Sequence, residues 1–395
     1  ALAGAAGPRA GAPEELERGF DRDDAALRLA RTFEELGIER FAPLVFVVGH
    51  GGSTRNNPHA SAYDCGACGG HRGAANARVF AALANDPGVR AALRARGVTI
   101  PGETWFVGAC HDTTTDAVAL FDLDLVPERR RALLAEAQAV LERARRLDAH
   151  ERCRRFEAFD LDGDPEDALA HVEARAESLA EPRPELGHCT NAIAVVGRRA
   201  LTRGLFLDRR AFLACYEPAR DPDGHVLERI LGAVAPVGAG INLEYYFSFV
   251  DNERYGAGTK LPHNVVGLLG VMNGHQSDLR TGLPWQMVEV HEPVRLLVVV
   301  ETTPSTILAV AGRAPVIREL VVNGWIQLAT IDPVTGDVSV MTRDGFEPFT
   351  PDERALPVAR SSTAYYGGRR GHLWPARIVG RGGGPRRPRR GASAA

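Results

Sequence analysis

The sequence predicts an α/β protein with a mainly parallel sheet, and three observations support this fold class. Residues 42–49 form an apolar run ending in glycine, which is typical of a strand buried on both faces. A second short strand is predicted over residues 104–109, after a helical stretch. Polar residues cluster directly after both runs, as they do at the carboxyl ends of parallel strands.

The first elements follow in a simple order. Residues 1–20 are rich in Gly, Ala and Pro, and we expect them to be disordered. Apolar residues recur at helical spacing over Asp23–Leu36, and Gly37 follows as a stop signal. Two more helices are predicted over 74–83 and 88–96, between the two strands. The order strand, helix, strand indicates a βαβ unit.

The rest of the chain continues this pattern. Long charged helices are predicted over 127–153 and 165–179, with their charges on solvated faces. Strands are predicted at 192–196, 296–300, 326–331 and 337–341, and helices at 227–234 and 304–310. Residues 242–284 lack a clear period and are rich in Gly, Asn, Asp and aromatics. We expect this stretch to line a site or an interface.

Pro and Gly residues around 181–187 suggest a division of the chain. We expect an α/β core half over residues 21–180, which contains a polar loop at 49–70. A second α/β region is predicted over 185–345. Residues 346–395 are predicted to be a disordered, basic tail rich in Gly, Pro and Arg.

The composition excludes several classes of protein. The chain has 395 residues and a net charge of −3, although the tail from Gly367 carries eight arginines and no acids. No groove-binding element accompanies this basic tail, so we expect no nucleic-acid partner. No apolar run of about 18–20 residues is present, so we expect no membrane-spanning segment. The six cysteines lack disulfide-framework spacing and are expected to be reduced thiols or ligands.

The loop after the first strand contains the best candidate site residues. His50 follows the buried run directly, and Cys65 lies fifteen positions later in a loop rich in glycine. Imidazole and thiolate are good ligands for Zn²⁺, and glycines let a backbone fold tightly around an ion. A zinc site needs about four ligands, and His59 and Asp64 lie nearby as further donors.

Other interpretations of these residues remain open. His50 and Cys65 are also compatible with a hydrogen-bonded histidine and an inert cysteine. Cys65 and Cys68 form a C-x-x-C pair that fits half of a zinc site or a redox pair with a lowered thiol pKa. Cys65 could instead be the nucleophile of a Cys-His hydrolase, with the Gly51 and Gly52 amides as an oxyanion hole. The cluster HDTTTD at 111–116 resembles a helix cap or a loop brace, or it belongs to the site.

Five segments together resemble one known family. They cover most of residues 40–345 in the expected order, and they are VGHGGSTRNNPHASAYDCGACGG (48–70), WFVGACHDTTTD (105–116), INLEYYFSFVDNERYGAGTKLPHNVVGLLGVMNG (241–274), DLRTGLPWQMV (278–288) and HEPVRLLVVVE (291–301). These segments are long and specific. The chain therefore resembles the DabA family of inorganic carbon transporter subunits.

The resemblance implies a zinc protein with a core similar to β-carbonic anhydrases. Its activity would be hydration of CO₂ to bicarbonate, but only within an intact, energy-coupled transport complex. The family's membrane partner, a multi-span subunit of the DabB type, is similar to ion-translocating antiporter subunits. The resemblance thus implies a peripheral protein on the cytoplasmic face of the cell membrane.

The family's zinc ligands are implied to be a Cys and an Asp of a C-x-D-x-R segment, followed by a His and a Cys fifteen residues apart. The last two correspond to His50 and Cys65, and the spacing agrees. No C-x-D-x-R occurs in residues 1–395. We therefore expect a C-terminal fragment that carries half of the zinc site and, alone, holds zinc weakly or not at all. A non-catalytic subunit that only docks a membrane partner remains an alternative.

Overall fold

The molecule is mixed α/β, with most strand pairs of its larger sheets parallel. The structure, a computed structural model, describes residues 19–55, 64–65, 68–178, 181, 184–185, 189–258, 264–266, 270–272, 279–280, 282–350, 352 and 354–380. The predicted fold class is confirmed at this level. The predicted disorder at the N-terminus and His59 lie outside the described residues, and the domain boundaries stay predictions.

The first sheet has three strands, and three helices pack on one of its faces. β1 (Leu44–Gly51) pairs in parallel with β2 (Trp105–Asp112), and β3 (Val118–Leu120) adds an antiparallel edge. The helices are α1 (Arg22–Glu35), α2 (Ala74–Asn85) and α3 (Pro87–Ala95). Both strands extend further than predicted, so His50 and His111 lie inside the last paired residues rather than beyond them.

Alternation along β1 and β2 separates two apolar clusters. Val45, Val47 and Phe106 pack with α1, α2 and α3 on one face. Leu44 and Phe46 pack on the other face, where α4 (Glu128–Cys153) contributes Leu134. Apolar side chains thus cover both faces of the sheet, as its continuous apolar runs predict, and β2 is buried whereas β1 is half-buried, with Val48 exposed. α5 (Pro165–Glu177) packs against α4 through a further cluster that includes Cys153, Phe156 and Val172.

The second sheet has six strands in the order β13-β12-β11-β10-β4-β6. Its strands are β4 (Ile193–Gly197), β6 (Ala211–Cys215), β10 (Leu297–Glu301), β11 (Gln327–Ile331), β12 (Val338–Thr342) and β13 (Gly345–Phe349). The four strands β6, β4, β10 and β11 are parallel to one another. β12 pairs with β11 and with β13 in antiparallel fashion. Its core joins Val196, Val298 and Leu328 to Leu227 and Ile307 of the covering helices.

Those covering helices include a long apolar one. α6 (His225–Val234) continues through a π-helical segment, Ala235–Gly240, into α7 (Ile241–Val250). By length and composition this stretch of 26 residues could cross a membrane, and its most apolar 18 residues have a mean hydropathy of 1.3, although a core helix of a soluble protein meets the same criterion. This single helix is weak evidence for a membrane span, so the expectation of no membrane-spanning segment stays a prediction. The start of the predicted irregular stretch, residues 242–250, is helical because its apolar and aromatic residues extend α6.

The remaining elements are short. They are β5 (Leu205–Phe206), α8 (Asn252–Tyr255), β7 (Asn264–Val266), β8 (Gly270–Met272), β9 (Leu279–Arg280), α9 (Trp285–Val288), α10 (Pro304–Arg313), α11 (Pro315–Val322), β14 (Val358–Ala359), α12 (Ser362–Tyr366) and β15 (Ala376–Ile378). β15 pairs with β14 and β5, and β7, β8 and β9 form a small antiparallel sheet.

Part of the predicted disordered tail is ordered. Tyr366 and Ala376 are buried, and the guanidinium of Arg370 donates to the carbonyl oxygens of Phe156 and Phe159 at 2.5 and 2.6 Å. These contacts attach the segment to the end of α4. The prediction of disorder was wrong for residues 357–380, because its apolar and arginine side chains find partners that lie far away in the sequence. Residues 381–395 lie outside the described part of the chain.

Candidate metal-ligand loop and the buried charge network beside it

The carboxyl ends of β1 and β2 bring two histidines side by side. His50 and His111 are paired positions of the parallel ladder, so their side chains leave the same face of the sheet. This is the face that Leu44, Phe46 and Val107 share with α4. The His50 side chain is exposed at the end of the strand. The sheet thus holds the His50 backbone rigidly while its imidazole stays accessible.

The loop that carries Cys65 is tied back to the end of β1. The amide of Gly52 donates to the Asp64 carboxylate at 2.9 Å, and the amide of Gly73 donates to the His50 carbonyl at 2.8 Å. Cys65 itself forms an isolated β-bridge with His71. Two hydrogen bonds therefore bracket Cys65 and fix its backbone near the carboxyl end of β1.

This return depends on glycine. A Cβ on Gly49 would stand 2.8 Å from the Cα of Gly73 and closer still to its carbonyl group. Real Cβ atoms do not approach that closely, so Gly49 allows the loop to pack directly against the strand. The run of glycines around His50 thus has a packing reason, whether or not an ion is bound.

The two thiols of the C-x-x-C pair interact with each other. The hydrogen bond with Cys65, followed by burial, raises the pKa of the Cys68 thiol, and the Asn76 amide donates to the Cys68 Sγ at 3.2 Å. A redox pair of this type needs a lowered thiol pKa. The raised pKa of Cys68 is therefore evidence against a redox role for this pair.

The donor set fits zinc in kind but not in number. Imidazole and thiolate are zinc ligands, and the Asp64 carboxylate, the third nearby donor, already accepts the Gly52 amide. Within the described ranges, no group of three or more His, Cys, Asp or Glu side chains is arranged to hold a metal ion. The Cys65 loop reaches the strand end that carries His50, but it packs on the face of Gly49 and Gly51, opposite to the face that the His50 side chain leaves. The described residues do not complete a tetrahedral site around these two side chains.

The hydrolase interpretation meets an obstacle here. It requires the Gly52 amide to be available for an oxyanion, but that amide donates to Asp64. The hydroxyl of Thr114 accepts the neighbouring amide of Ser53 at 3.0 Å. The backbone donors after β1 are therefore used to hold the loop.

The HDTTTD cluster braces this region rather than capping a helix. Thr114 donates through its hydroxyl to Glu185 at 2.6 Å, and its amide donates to Asp112 at 2.9 Å. The amide of Thr113 donates to the carbonyl of Gly51 at 2.8 Å, which joins the two strand exits. The brace interpretation is confirmed, and the segment leads into β3 instead of a helix.

A buried charge network lies behind this brace. His111 Nε2 and an Asp116 carboxylate oxygen are 2.7 Å apart, and the guanidinium of Arg152 donates to the other oxygen at 2.6 Å. Arg152 is completely buried and also donates to the carbonyls of Thr114 and Pro184 at 2.9 and 3.1 Å. Asp148 lies 3.6 Å from Arg152 and pairs with Arg209.

The two carboxyl groups of this network titrate in opposite directions. Burial raises the pKa of Asp148 to about 7, and the neighbouring Asp116 adds to this against the charges of Arg209 and Arg152. Burial also opposes the ionisation of Asp116, but hydrogen bonds from Asp148 and His111 and the charge of Arg152 outweigh it, so its pKa is lowered. The pair therefore shares a proton near neutral pH, with Asp116 as the carboxylate.

Arg152 and Asp148 were not predicted as site residues from the sequence. Both lie in the predicted helix 127–153, whose charges were expected to be solvated. The available signal was their position: Arg152 directly precedes Cys153, which is buried, and stands four residues after Asp148. Charges next to apolar positions on a helix can face the core, and this occurs here.

Residues 4–326 match the family described as probable inorganic carbon transporter subunit DabA. The chain belongs to the DabA family.

Relatives agree with this assignment. The chain is 60% identical over 354 residues to probable inorganic carbon transporter subunit DabA 1 of Sorangium cellulosum, which covers 89% of the chain and 35% of that protein. It is 53% identical over 366 residues to the subunit of Parafrankia, covering 92% of the chain and 33% of the relative. The chain thus spans about a third of the length of these relatives. No solved structure matches the chain.

Proposed function

We propose that this chain is part of a subunit for energy-coupled inorganic carbon uptake, in which CO₂ is converted to bicarbonate. We further propose that His50 and Cys65 are two of the ligands of its zinc ion. One observation carries the proposal: the Cys65 loop is hydrogen-bonded back onto the strand end that presents His50. The relatives' name, probable inorganic carbon transporter subunit, supplies the substrate class.

In this proposal the remaining zinc ligands come from protein outside the chain. The chain spans about a third of its relatives, and its described residues do not assemble a third ligand. When bound, zinc supplies Lewis acidity that makes water reactive towards CO₂ at neutral pH. The parallel pair β1 and β2, with ligands at its carboxyl end, is compatible with a carbonic-anhydrase-like core.

Residues of this chain are placed to accept a proton and to position the group that accepts it. Asp116 is the carboxylate of its pair, so His111 Nε2 carries the proton that it donates to Asp116. This leaves His111 Nδ1 as an acceptor on the sheet face that also presents His50. We assign to Nδ1 the uptake of the proton released when CO₂ is hydrated, and to Arg152 the positioning of Asp116.

We also propose a multi-span membrane partner of the DabB type and a peripheral position at the cytoplasmic face of the membrane. The word subunit in the relatives' names supports a partner. The apolar stretch His225–Val250 offers a surface for such a contact, because only 35% of its most apolar 18-residue segment is buried inside the molecule. The same stretch favours the second candidate function, a docking subunit in which any zinc is only structural.

Metal analysis of the complete subunit tests the ligand assignment. We expect about one zinc per polypeptide by ICP-MS, and loss of most of it in His50→Ala and in Cys65→Ala. Cys68→Ala is the matched control, because it removes the neighbouring thiol and should keep the metal. Zinc retained in both ligand variants would contradict the proposal. An esterase or amidase activity that is lost on metal-independent alkylation of Cys65 would support the hydrolase instead.

Isotope exchange separates the catalytic function from docking. The complex with its membrane partner should exchange ¹⁸O between CO₂ and water when energised, and His50→Ala should abolish this exchange while the complex still assembles. A complex that assembles, contains zinc and shows no exchange under energised conditions would favour docking alone.

A further inference from the structure

β1 lies at an edge of the first sheet, although its sequence is typical of an inner strand. The strand order is β1-β2-β3, and among the described residues no strand pairs with the other side of β1. Residues 44–48 are a continuous apolar run, which is typical of a strand with neighbours on both sides in a parallel sheet. β1 is nevertheless only half-buried, and Val48 is 52% exposed, whereas the neighbouring β2 is buried.

The hydrogen bonds of the ladder show which backbone groups of β1 face this edge. The amide of Trp105 donates to the carbonyl of Pro43 at 3.0 Å, and the amide of Thr113 donates to the carbonyl of Gly51 at 2.8 Å. In a parallel ladder, alternate residues of a strand direct their backbone groups to the same neighbour, so the odd-numbered residues of β1 face β2. The even-numbered residues before His50 direct their N–H and C=O groups to the free edge, and they are Leu44, Phe46 and Val48.

Other sheet edges of the molecule are protected, and this one is not. Proteins usually shorten an edge strand or place charges and Pro on it, because an open edge is a template for pairing. The opposite edge of the first sheet is β3, which has only three residues. β13, an edge of the second sheet, carries Glu347 and Pro348. Residues 44–48 contain no charged residue, no Pro and no Gly, so the edge of β1 is suited to pairing rather than to contact with water.

The chemistry of the edge defines the kind of partner that fits it. A row of alternating backbone donors and acceptors is satisfied by another strand, which adds its own backbone groups in register. Helices already cover both faces of the sheet, α1, α2 and α3 on one face and α4 on the other. Strands between two helix-covered faces are normally parallel, as β1 and β2 are. A second copy of this chain, related by a two-fold axis, would instead place its β1 antiparallel.

We propose that β1 is an inner strand of the complete subunit, and that a strand from the part of the subunit outside this chain pairs with it in parallel. The chain spans about a third of the length of its relatives, so the complete subunit has ample polypeptide to supply this strand. The partner strand is itself a continuous apolar run, because both of its faces are then covered. The inference rests on the proposal that this chain is part of a longer subunit, and it does not depend on zinc.

Hydrogen–deuterium exchange of the complete subunit, read at single residues by electron-transfer dissociation, tests this pairing. The amides of Val45 and Val47 face β2 and are the internal reference. We expect the amides of Phe46 and Val48 to exchange within about tenfold of the reference rate, because both rows are then held in a ladder. Exchange of Phe46 and Val48 more than about tenfold faster than that of Val45 and Val47 would show an open edge and overturn the inference.

Photo-crosslinking identifies the occupant of the edge. Val48→p-benzoyl-L-phenylalanine is introduced into the complete subunit, which is then irradiated and digested for mass spectrometry. We expect residue 48 to be linked to an apolar peptide of the same polypeptide that lies outside the sequence of this chain. A crosslinked dimer on a denaturing gel, which would show a second copy at the edge, overturns the assignment. A crosslink to the membrane partner overturns it as well.

A charge at the edge gives an independent measurement. Val48→Lys should lower the thermal midpoint of the complete subunit by at least about 2 °C, because a covered valine is replaced by a cation. Val334→Lys is the matched control, since Val334 is 91% exposed, and it should leave the midpoint unchanged. Equal midpoints in both variants would contradict the inference. Slow exchange of Phe46 and Val48 in a subunit without zinc would oppose the zinc proposal alone, and fast exchange in a subunit with zinc would oppose this inference alone.

Discussion

Replacing Arg152 with leucine should destabilise the chain strongly. Arg152 is completely buried and donates to the Asp116 carboxylate at 2.6 Å and to the carbonyls of Thr114 and Pro184 at 2.9 and 3.1 Å. Arg152→Leu leaves a buried carboxylate without its main cation and two carbonyls without donors. Breaking a buried pair from one side costs about 3–5 kcal/mol. This is a large part of the roughly 5–15 kcal/mol that stabilises an ordinary domain.

Urea unfolding followed by far-ultraviolet circular dichroism measures this loss. With an m-value of roughly 2–3 kcal/mol per molar urea, the midpoint should fall by about 1–2 M. Arg131→Leu is the matched control on the same helix. Its pair with Glu128 joins side chains that are 50% and 89% exposed, so its loss should change the free energy of unfolding by less than about 1 kcal/mol.

The double variant separates the ion pair from packing. In Asp116→Asn with Arg152→Leu, no buried carboxylate is left uncompensated, so the double variant should be less destabilised than the sum of the single variants. The importance of this ion pair is refuted if the free energy of unfolding of Arg152→Leu lies within about 1 kcal/mol of the wild-type value. It is also refuted if the destabilisations of the two single variants simply add.

Three further predictions follow from contacts around the site. The pKa of Asp148 is raised to about 7 in the folded state, above about 3.9 in the unfolded chain, so its contribution to stability is lost as the pH rises from about 4 to 7. Asp148→Asn should flatten that part of a plot of unfolding free energy against pH, and an unchanged slope would contradict the assignment. Gly49→Ala should destabilise the chain by at least about 1–3 kcal/mol in the same urea assay, because its Cβ meets Gly73, whereas Gly102→Ala meets no atom within 4 Å and should be nearly neutral. Cys65→Ser should speed the alkylation of Cys68 by iodoacetamide at pH 8, because Cys65 raises the Cys68 pKa, and mass spectrometry showing equal rates would oppose this.

The local elements of the fold were predictable where one physical signal dominates. The apolar run before His50 predicts β1. Gly37, with a positive φ of 65°, ends α1 as expected. These signals are carried by residues that are close in sequence, so one sequence is enough to detect them.

The elements that were missed depend on contacts between distant residues. Arg152 looks like a solvated helix charge until β2 places Asp116 beside it. The segment around Tyr366 looks like a flexible basic tail until the end of α4 supplies partners for Arg370. The helix α7 follows a Gly- and Pro-containing segment, Ala235–Gly240, which reads as a break but forms a π-helical turn.

For the candidate site, the sequence identified His50 and Cys65 but not their surroundings. The hydrogen bond from Gly52 to Asp64 connects residues on a loop with no regular period, and no pattern predicts it. The pairing of His50 with His111 follows from the register of two parallel strands, which the sequence alone does not fix. The zinc assignment and the carbonic-anhydrase-like core stay predictions.

Zinc K-edge X-ray absorption on the complete subunit tests the central claim most directly. If His50 and Cys65 are ligands, the spectrum should show a Zn–S distance of about 2.3 Å and Zn–N or Zn–O distances of about 2.0–2.2 Å. Cys65→Ser should reduce the sulfur contribution by one ligand, and Cys68→Ser should leave it unchanged. An unchanged sulfur contribution in Cys65→Ser, or a reduction in Cys68→Ser, would contradict the account.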